Sequence, residues 1–270
     1  LTPPDTFTLL GESRSLGEVG WDDARLEKLW RYNLHYFDDL AAEDGAGRRE
    51  AQRAVILRWI RDNPPGRGTG WEPYPTSRRI VNWIRWELAG QALEPAAVHS
   101  LAIQARWLAR RLEYHLLGNH LLANAKALLF AGCFFAGREA DSWIATAMRI
   151  LARELPEQIL PDGGHFELST MYHALVLEDL LDMVNVARTF PDAVPALVRS
   201  WPEVVGRMRR WLAVMCHPDG EIAFFNDAAF GVAPPPTALN DYAARLGLPA
   251  PAGLRPVEHL EDSGYVRATA

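Results

Sequence analysis

Apolar residues recur at three- and four-residue spacing through nearly the whole stretch from Trp21 to Met215, the mark of helices with one buried face. Within residues 22–42, Leu26, Leu29, Trp30, Leu34 and Phe37 draw such a stripe. The same period predicts helices over 48–62, 76–90, 95–116, 119–136, 139–159, 166–190 and 195–216, and a shorter one near 237–247. Strand-like alternation is confined to the end, where Gly264-Tyr265-Val266-Arg267-Ala268-Thr269 reads as a first β-strand. The expected class is all-α, with a β element opening as the sequence closes.

The breaks between helices carry a second period. Loop clusters fall at Gly70-Trp71-Glu72-Pro73-Tyr74-Pro75, Gly118-Asn119-His120, Asp162-Gly163-Gly164-His165 and Pro218-Asp219-Gly220-Glu221. From Gly70 to Gly118, Gly163 and Gly220 the successive intervals are 48, 45 and 57 residues. Each holds two helices and a short turn, so about five αα-hairpins fit the chain. A period of two helices predicts that these loops emerge at one end of the fold. Stacked hairpins form an open solenoid or curl into an (α/α) toroid. The polar and aromatic residues gathered in same-end loops (Trp71, Tyr74, Asn119, His120, His165, Glu167, Asn226 and Asp227) suit a rim around one cleft, and so favour an incomplete toroid.

Composition narrows the function classes. The 270 residues are 49% hydrophobic and 23% charged, ordinary globular usage. A net charge of −6 argues against broad electrostatic binding to nucleic acid. No apolar run approaches the roughly 18 to 20 residues of a membrane-spanning helix, so no integral membrane segment is expected. Cys133 and Cys216 lie in apolar helical stretches and read as buried thiols. The start, Leu1-Thr2-Pro3-Pro4, lacks an initiator Met, a basic region and an apolar run, and reads as left by removal of a leader or by trimming. Of 28 basic residues only Lys28 and Lys126 are lysines, so guanidinium forks suited to carboxylates and sulfates are plentiful. HExxH, a Walker loop, GxGxxG after a strand and GxSxG do not occur, so the expected chemistry is proton transfer and hydrogen bonding, with no metal and no cofactor.

Four stretches concentrate candidate chemistry, each with a plainer structural use. In Gly118-Asn119-His120-Leu121, Asn119 suits a helix N-cap, and the same helix end, with His120 as a donor beside it, suits a carboxylate. In Asp162-Gly163-Gly164-His165-Phe166-Glu167-Leu168-Ser169-Thr170-Met171-Tyr172-His173, a helix beginning near His165 would align His165, Ser169 and Tyr172 on one face; core packing is the plainer use of Tyr172. Trp71-Glu72-Pro73-Tyr74-Pro75-Thr76-Ser77-Arg78-Arg79 pairs aromatics that stack on sugars with Arg78 and Arg79, or else is a Pro-stiffened loop whose Trp plugs the core. Phe224-Phe225-Asn226-Asp227 either places a carboxylate in the cleft or makes an Asn-Asp turn.

Together with Trp30-Arg31-Tyr32-Asn33-Leu34-His35-Tyr36-Phe37, the stretches at 71–79, 119–121 and 162–173 resemble the heparinase II/III-like polysaccharide lyases, over nearly the whole chain. The resemblance implies an N-terminal (α/α) toroid, here residues 1–258, followed by an antiparallel β-sandwich to which residues 259–270 would be the linker and first strand. It implies cleavage of a uronic-acid-containing, acidic polysaccharide by β-elimination, and export to the periplasm or beyond by a bacterium. Asn119 and His120 would neutralise the uronate carboxylate, and Tyr172 would serve as base, leaving-group acid or both. A basic role for Tyr172 requires nearby positive charge, with His165, His173 and Arg78 as the possible sources. Trp71, Tyr74, Arg78, Arg79, His165, Glu167, Ser169, His173, Asn226 and Asp227 are the expected substrate contacts. The family's catalytic His on the sandwich has no counterpart here, so these residues alone are expected to be weakly active or inactive without their own C-terminal β-sandwich as partner. Two other readings stay open: an (α/α)-barrel glycoside hydrolase using Glu167 and Asp227, and a non-catalytic polysaccharide-binding module of an exopolysaccharide pathway.

Overall fold

The computed structural model describes residues 1–42, 45–116, 118–194 and 196–269. The chain divides into two compact units: Leu1–Leu116 with Ala123–Ala147, and Leu117–Leu122 with Met148–Ala270.

The first unit opens with an antiparallel hairpin that the helical period did not announce, β1 (Thr6–Leu9) on β2 (Glu12–Ser15), paired from Thr6↔Ser15 to Leu9↔Glu12. A one-turn α1 (Leu16–Val19) leads to α2 (Lys28–Tyr36), α3 (Arg49–Asp62), α4 (Pro73–Leu88) and α5 (Pro95–Leu108). The helix expected over 22–42 is shorter. Asp23 accepts the Arg25 backbone N–H at 2.9 Å in a local turn, and Phe37 at φ +63° ends α2 before a 3-10 turn, Asp38–Ala41. Helix α4 starts earlier than expected, with Pro73 at its first position, where the missing N–H costs nothing. Helix α5 stops at Leu108 rather than at 116, and beyond it Asn124 Oδ1 accepts the Glu113 backbone N–H at 2.9 Å. The core of this unit is an aromatic nest: Trp59 lies 5.7 Å from both Trp71 and Trp83, and Phe37 lies 5.4 Å from Trp83.

Helices α6 (Asn119–Phe134) and α7 (Arg138–Gln158) contribute residues to both units. Helix α6 is largely apolar and mostly buried: Leu122, Ala125, Leu128 and Leu129 are buried, and so are Asn124 and Lys126, Asn124 donating to Ser77 Oγ at 3.1 Å and to Glu113 Oε2 at 2.9 Å.

In the second unit α8 (Thr170–Thr189) packs on α9 (Trp201–Val214), and α10 (Pro236–Arg245) packs on both. Helix α8 begins at Thr170, not near His165. Leu168 at φ +54° breaks the helical path, and the Ser169 side chain caps the end by accepting the Tyr172 N–H at 3.2 Å. The expected terminal strand is present as β4 (Tyr265–Ala268), and it pairs antiparallel with an unanticipated β3 (Val257–Leu260). The 258/259 boundary thus falls inside β3. Leu260 and Tyr265 of this hairpin pack on Trp211, Val214 and Met215 of α9 and its end.

Candidate active site

The expected site residues fall in both units. In the first, Trp71 and Arg79 are core. The Trp71 indole donates to Asn63 O at 3.1 Å, and its own carbonyl accepts from Trp107 Nε1 at 2.8 Å. Arg79 has no exposed surface; it donates to Gln104 Oε1 at 2.9 Å and to His35 O at 3.3 Å, with its guanidinium 3.8 Å over the Trp59 ring. Neither side chain is open to a sugar. Tyr74 and Arg78 are half-buried and reach solvent. The Tyr74 ring meets Tyr36 edge-on at 5.8 Å, and Arg78 lies over the same Tyr36 while Nη2 bonds Asp38 Oδ1 at 3.1 Å. Nearby, Tyr32 donates to the Glu72 carboxylate, which also holds Lys28 at 2.9 Å. Tyr36 and Asp38 were not among the expected contacts; the aromatic run of α2 was the signal that could have found Tyr36.

The second unit gathers the chemistry. The cap of α8 fixes the loop before it and the segment that crosses it. Ser169 Oγ donates to Asp227 O at 2.6 Å, Thr170 Oγ1 donates to Ala223 O at 2.5 Å, and Asn226 Nδ2 donates to Glu167 O and Leu168 O at 3.0 and 3.2 Å. These bonds set Asp227 beside Tyr172, whose phenol reaches Asp227 Oδ2 at 3.4 Å. Glu167 turns its carboxyl toward Gly118, where a Cβ would collide with Oε1, immediately before Asn119 and His120. Asn119 and His120 are themselves part-exposed at the start of α6.

Charge ties this cluster together. The Glu167 carboxyl is pushed above the usual carboxylate range by desolvation, then by the like charge of Asp227, with His120 opposing. Tyr172 is pushed up by burial, by the charges of Asp227 and Glu167 and by its bond to Asp227. The phenol is therefore protonated at neutral pH, as an unperturbed phenol is, and burial with the two carboxylates makes it hold that proton more tightly.

His165 and His173 belong to the core and supply no positive charge to Tyr172. His173 stacks on Trp211 at 4.3 Å, its Nδ1 accepts the His165 N–H at 3.2 Å, and its Nε2 donates to Met208 O at 3.0 Å. Burial pushes His173 down to about 3 and His165 down to about 4, so both are neutral. The aligned face expected for His165, Ser169 and Tyr172 does not form, because His165 precedes α8. Of the expected residues in this unit, then, His120, Glu167, Ser169, Tyr172, Asn226 and Asp227 come together, with Asn119 adjoining them in the chain. Among the described residues no cluster of three or more His, Cys, Asp or Glu could hold a metal ion, and no helix is long and apolar enough to cross a membrane.

Residues 27–238 match the family model for the heparinase II/III N-terminus. The chain belongs to the heparinase II/III family. Its curated relatives include a heparin-sulfate lyase of Bacteroides stercoris, 31% identical over 43% of this chain and 17% of that protein. They also include the heparin-sulfate lyase of Pedobacter heparinus, 28% identical over 63% of this chain and 27% of that protein. FtsZ-localized protein C of Caulobacter vibrioides is 31% identical over 74% of this chain and 35% of that protein. Among solved structures, heparan sulfate lyase HepC from Pedobacter heparinus matches 95% of this chain and 46% of its own, with 21% identity and a TM-score of 0.63. Heparinase III matches 87% of this chain and 40% of its own, with 20% identity and a TM-score of 0.66. These likenesses show the fold, and it is the all-α, (α/α)-toroid class that the loop residues favoured and the family resemblance implied, the hairpin period alone having left an open solenoid possible. The chain spans less than half the length of each of these relatives and solved structures.

Proposed function

We propose that this chain carries the helical part of a polysaccharide lyase that breaks a uronic-acid-containing glycan by β-elimination, and that Tyr172 is its leaving-group acid. The observation that carries this reading is the phenol of Tyr172, half-buried and 3.4 Å from Asp227, a protonated group whose hold on its proton is strengthened by burial and then by two carboxylates. In β-elimination a base takes the C5 proton of the uronate. The electron pair left behind forms the C4–C5 double bond as the C4–O bond breaks, and the departing glycosidic oxygen takes the phenolic proton. The uronate carboxylate makes C5 deprotonation costly unless donors neutralise it, which is the role proposed for Asn119 and His120 at the N-terminus of α6. Asp227 and Glu167 then act on Tyr172 by field. The C5 base is assigned to the β-sandwich that the resemblance implies, so residues 1–270 alone would turn over weakly.

Heparin-sulfate lyases among the relatives support an acidic glycan as substrate. Tyr172→Phe in the full-length protein should cut formation of the ultraviolet-absorbing unsaturated uronate by about 100-fold or more, the usual weight of a positioned general acid. Full turnover in Tyr172→Phe would refute the assignment.

One observation favours a second reading. Glu167 and Asp227 lie close enough for the charge of one to raise the proton affinity of the other, as a glycoside hydrolase acid requires. Loss of activity in Asp227→Asn, with Tyr172→Phe fully active and saturated reducing ends as products, would establish that hydrolase instead.

A further inference from the structure

Helix α5 ends in a groove of about 660 Å³ lined by Ile103, Arg106, Trp107, Arg110 and Arg111, all within the first unit. Three guanidinium groups, those of Arg106, Arg110 and Arg111, stand on this one short stretch. One of them is committed: Arg106 forks onto Glu139 at 2.9 Å from Nε and 2.5 Å from Nη2. The other two are exposed, and neither forms an ion pair with any described residue. Arg111 instead sits over Trp107, its guanidinium carbon 3.3 Å from the ring centroid.

The groove is held in shape from behind. Trp107 Nε1 donates to Trp71 O at 2.8 Å, which fixes the ring plane. Gly66, at φ +78°, leaves the space the indole fills; a Cβ there would come within 2.5 Å of the ring. Ile103 and Trp107 thus make an apolar floor, with unpaired guanidinium forks at its edge.

We propose that this groove binds one oxyanion-bearing sugar unit, sulfated or carboxylated, of a glycan chain. A sugar ring has apolar C–H faces that suit the floor, and a sulfate or carboxylate presents paired oxygens to the planar forks of Arg110 and Arg111. Charge complementarity selects the occupant, because Arg110 and Arg111 make no ion pair with a described residue, although Arg110 stands near enough to the Arg106-bound Glu139 to lower its carboxyl. The inference rests on the polysaccharide-lyase reading only for the choice of a glycan as ligand; the groove uses none of the residues given roles in turnover.

The test is binding to the intact protein of two probes, a heparin-derived hexasaccharide and a sulfate-free oligouronate of equal length. Arg110→Ser with Arg111→Ser should weaken affinity for at least one probe about tenfold or more, and should flatten the salt dependence of that affinity. A heparin-only effect assigns the groove to sulfate, and an equal effect on both probes assigns it to any sugar oxyanion. Arg14→Ser with Arg25→Ser removes the same charge from two surface arginines and should change affinity less than about twofold, since such exposed pairs contribute little. Equal weakening by both double variants, or by neither, overturns the groove. A matching loss for a single-stranded RNA of equal charge overturns the glycan assignment. If the double variant loses its helical circular dichroism, Arg110→Ser alone carries the test, because that guanidinium packs on no ring. Oligosaccharide binding that depends on Arg110, in a full-length protein that forms no unsaturated product, refutes the lyase reading and leaves the groove standing. Normal turnover with unaltered binding in the arginine variants does the reverse.

Discussion

Acid should unfold the second unit through two buried imidazoles, and His173→Asn should isolate one of them. In the folded chain the N–H of His165 points at His173 Nδ1, and a proton placed there would meet that N–H head-on with no solvent to stabilise the charge. Burial holds His173 at about 3 and His165 at about 4, against an ordinary 6.5 in the unfolded chain. Above pH 6.5 neither state carries the protons, and these groups add no pH dependence. As pH falls below 6.5 the unfolded chain takes up about two protons that the folded chain refuses until pH nears 4 and then 3, so stability falls with pH. At 1.36 kcal/mol per proton per pH unit, the loss near pH 5 is roughly 2 to 3 kcal/mol for each unit of pH. Two pH units would consume a large part of a typical domain stability of about 5–15 kcal/mol. Urea denaturation at several pH values between 7 and 4.5 reads the slope, to which the buried His35 of the first unit, held at about 3, adds its own proton, so the difference between parent and His173→Asn isolates this pair's share. His173→Asn keeps an acceptor for the His165 N–H but cannot be protonated. It should lower stability at pH 7, by loss of the Met208 bond and the Trp211 stack, while roughly halving the slope contributed by the pair. A slope unchanged by the substitution would show that these histidines do not govern the acid limb.

Three further outcomes follow from named contacts. Asp227→Asn removes a charge that raises Tyr172, so the phenol should ionise at lower pH; the tyrosinate absorbance difference between Asp227→Asn with and without Tyr172→Phe measures it, and an unmoved titration would contradict the field described. Gly163→Ala should cost about 2 kcal/mol or more in urea melts, because Gly163 sits at φ +94° and a Cβ would strike the Arg207 backbone, which cannot rotate away as a side chain would. Arg79→Met should keep the core volume yet cost about 2–4 kcal/mol by leaving Gln104 Oε1 and His35 O without their donor; a melting temperature within a degree of the parent would refute it.

Helical period, hairpin repeat and turn chemistry were legible because they are local. The stripe through Leu26, Leu29, Trp30 and Leu34 and the breaks at Gly118 and Gly163 are written within one or two turns of chain. The motif stretches likewise pointed to the heparinase II/III family before any contact was known. Local reading failed where a neighbour outside the window decided. The start of α8 slid from near His165 to Thr170 because Ser169 caps it and Asp227, far along the chain, accepts from the cap. The N-terminal hairpin escaped because β2, Glu12–Ser15, is polar throughout and shows no alternation, although β1, Thr6–Leu9, does.

Amino-acid order by itself therefore determined the helical class, the two-helix repeat and the list of side chains able to do chemistry. Only the tertiary structure sorted that list. Arg78 and Arg79 are adjacent, yet one reaches solvent and the other lies sealed over Trp59. His120 is part-exposed while His165 and His173 are core, and the proton affinity of Tyr172 is raised by burial and then by a carboxylate 55 residues away. Burial and field depend on which distant segments meet, and a pattern read along the chain holds no record of that meeting.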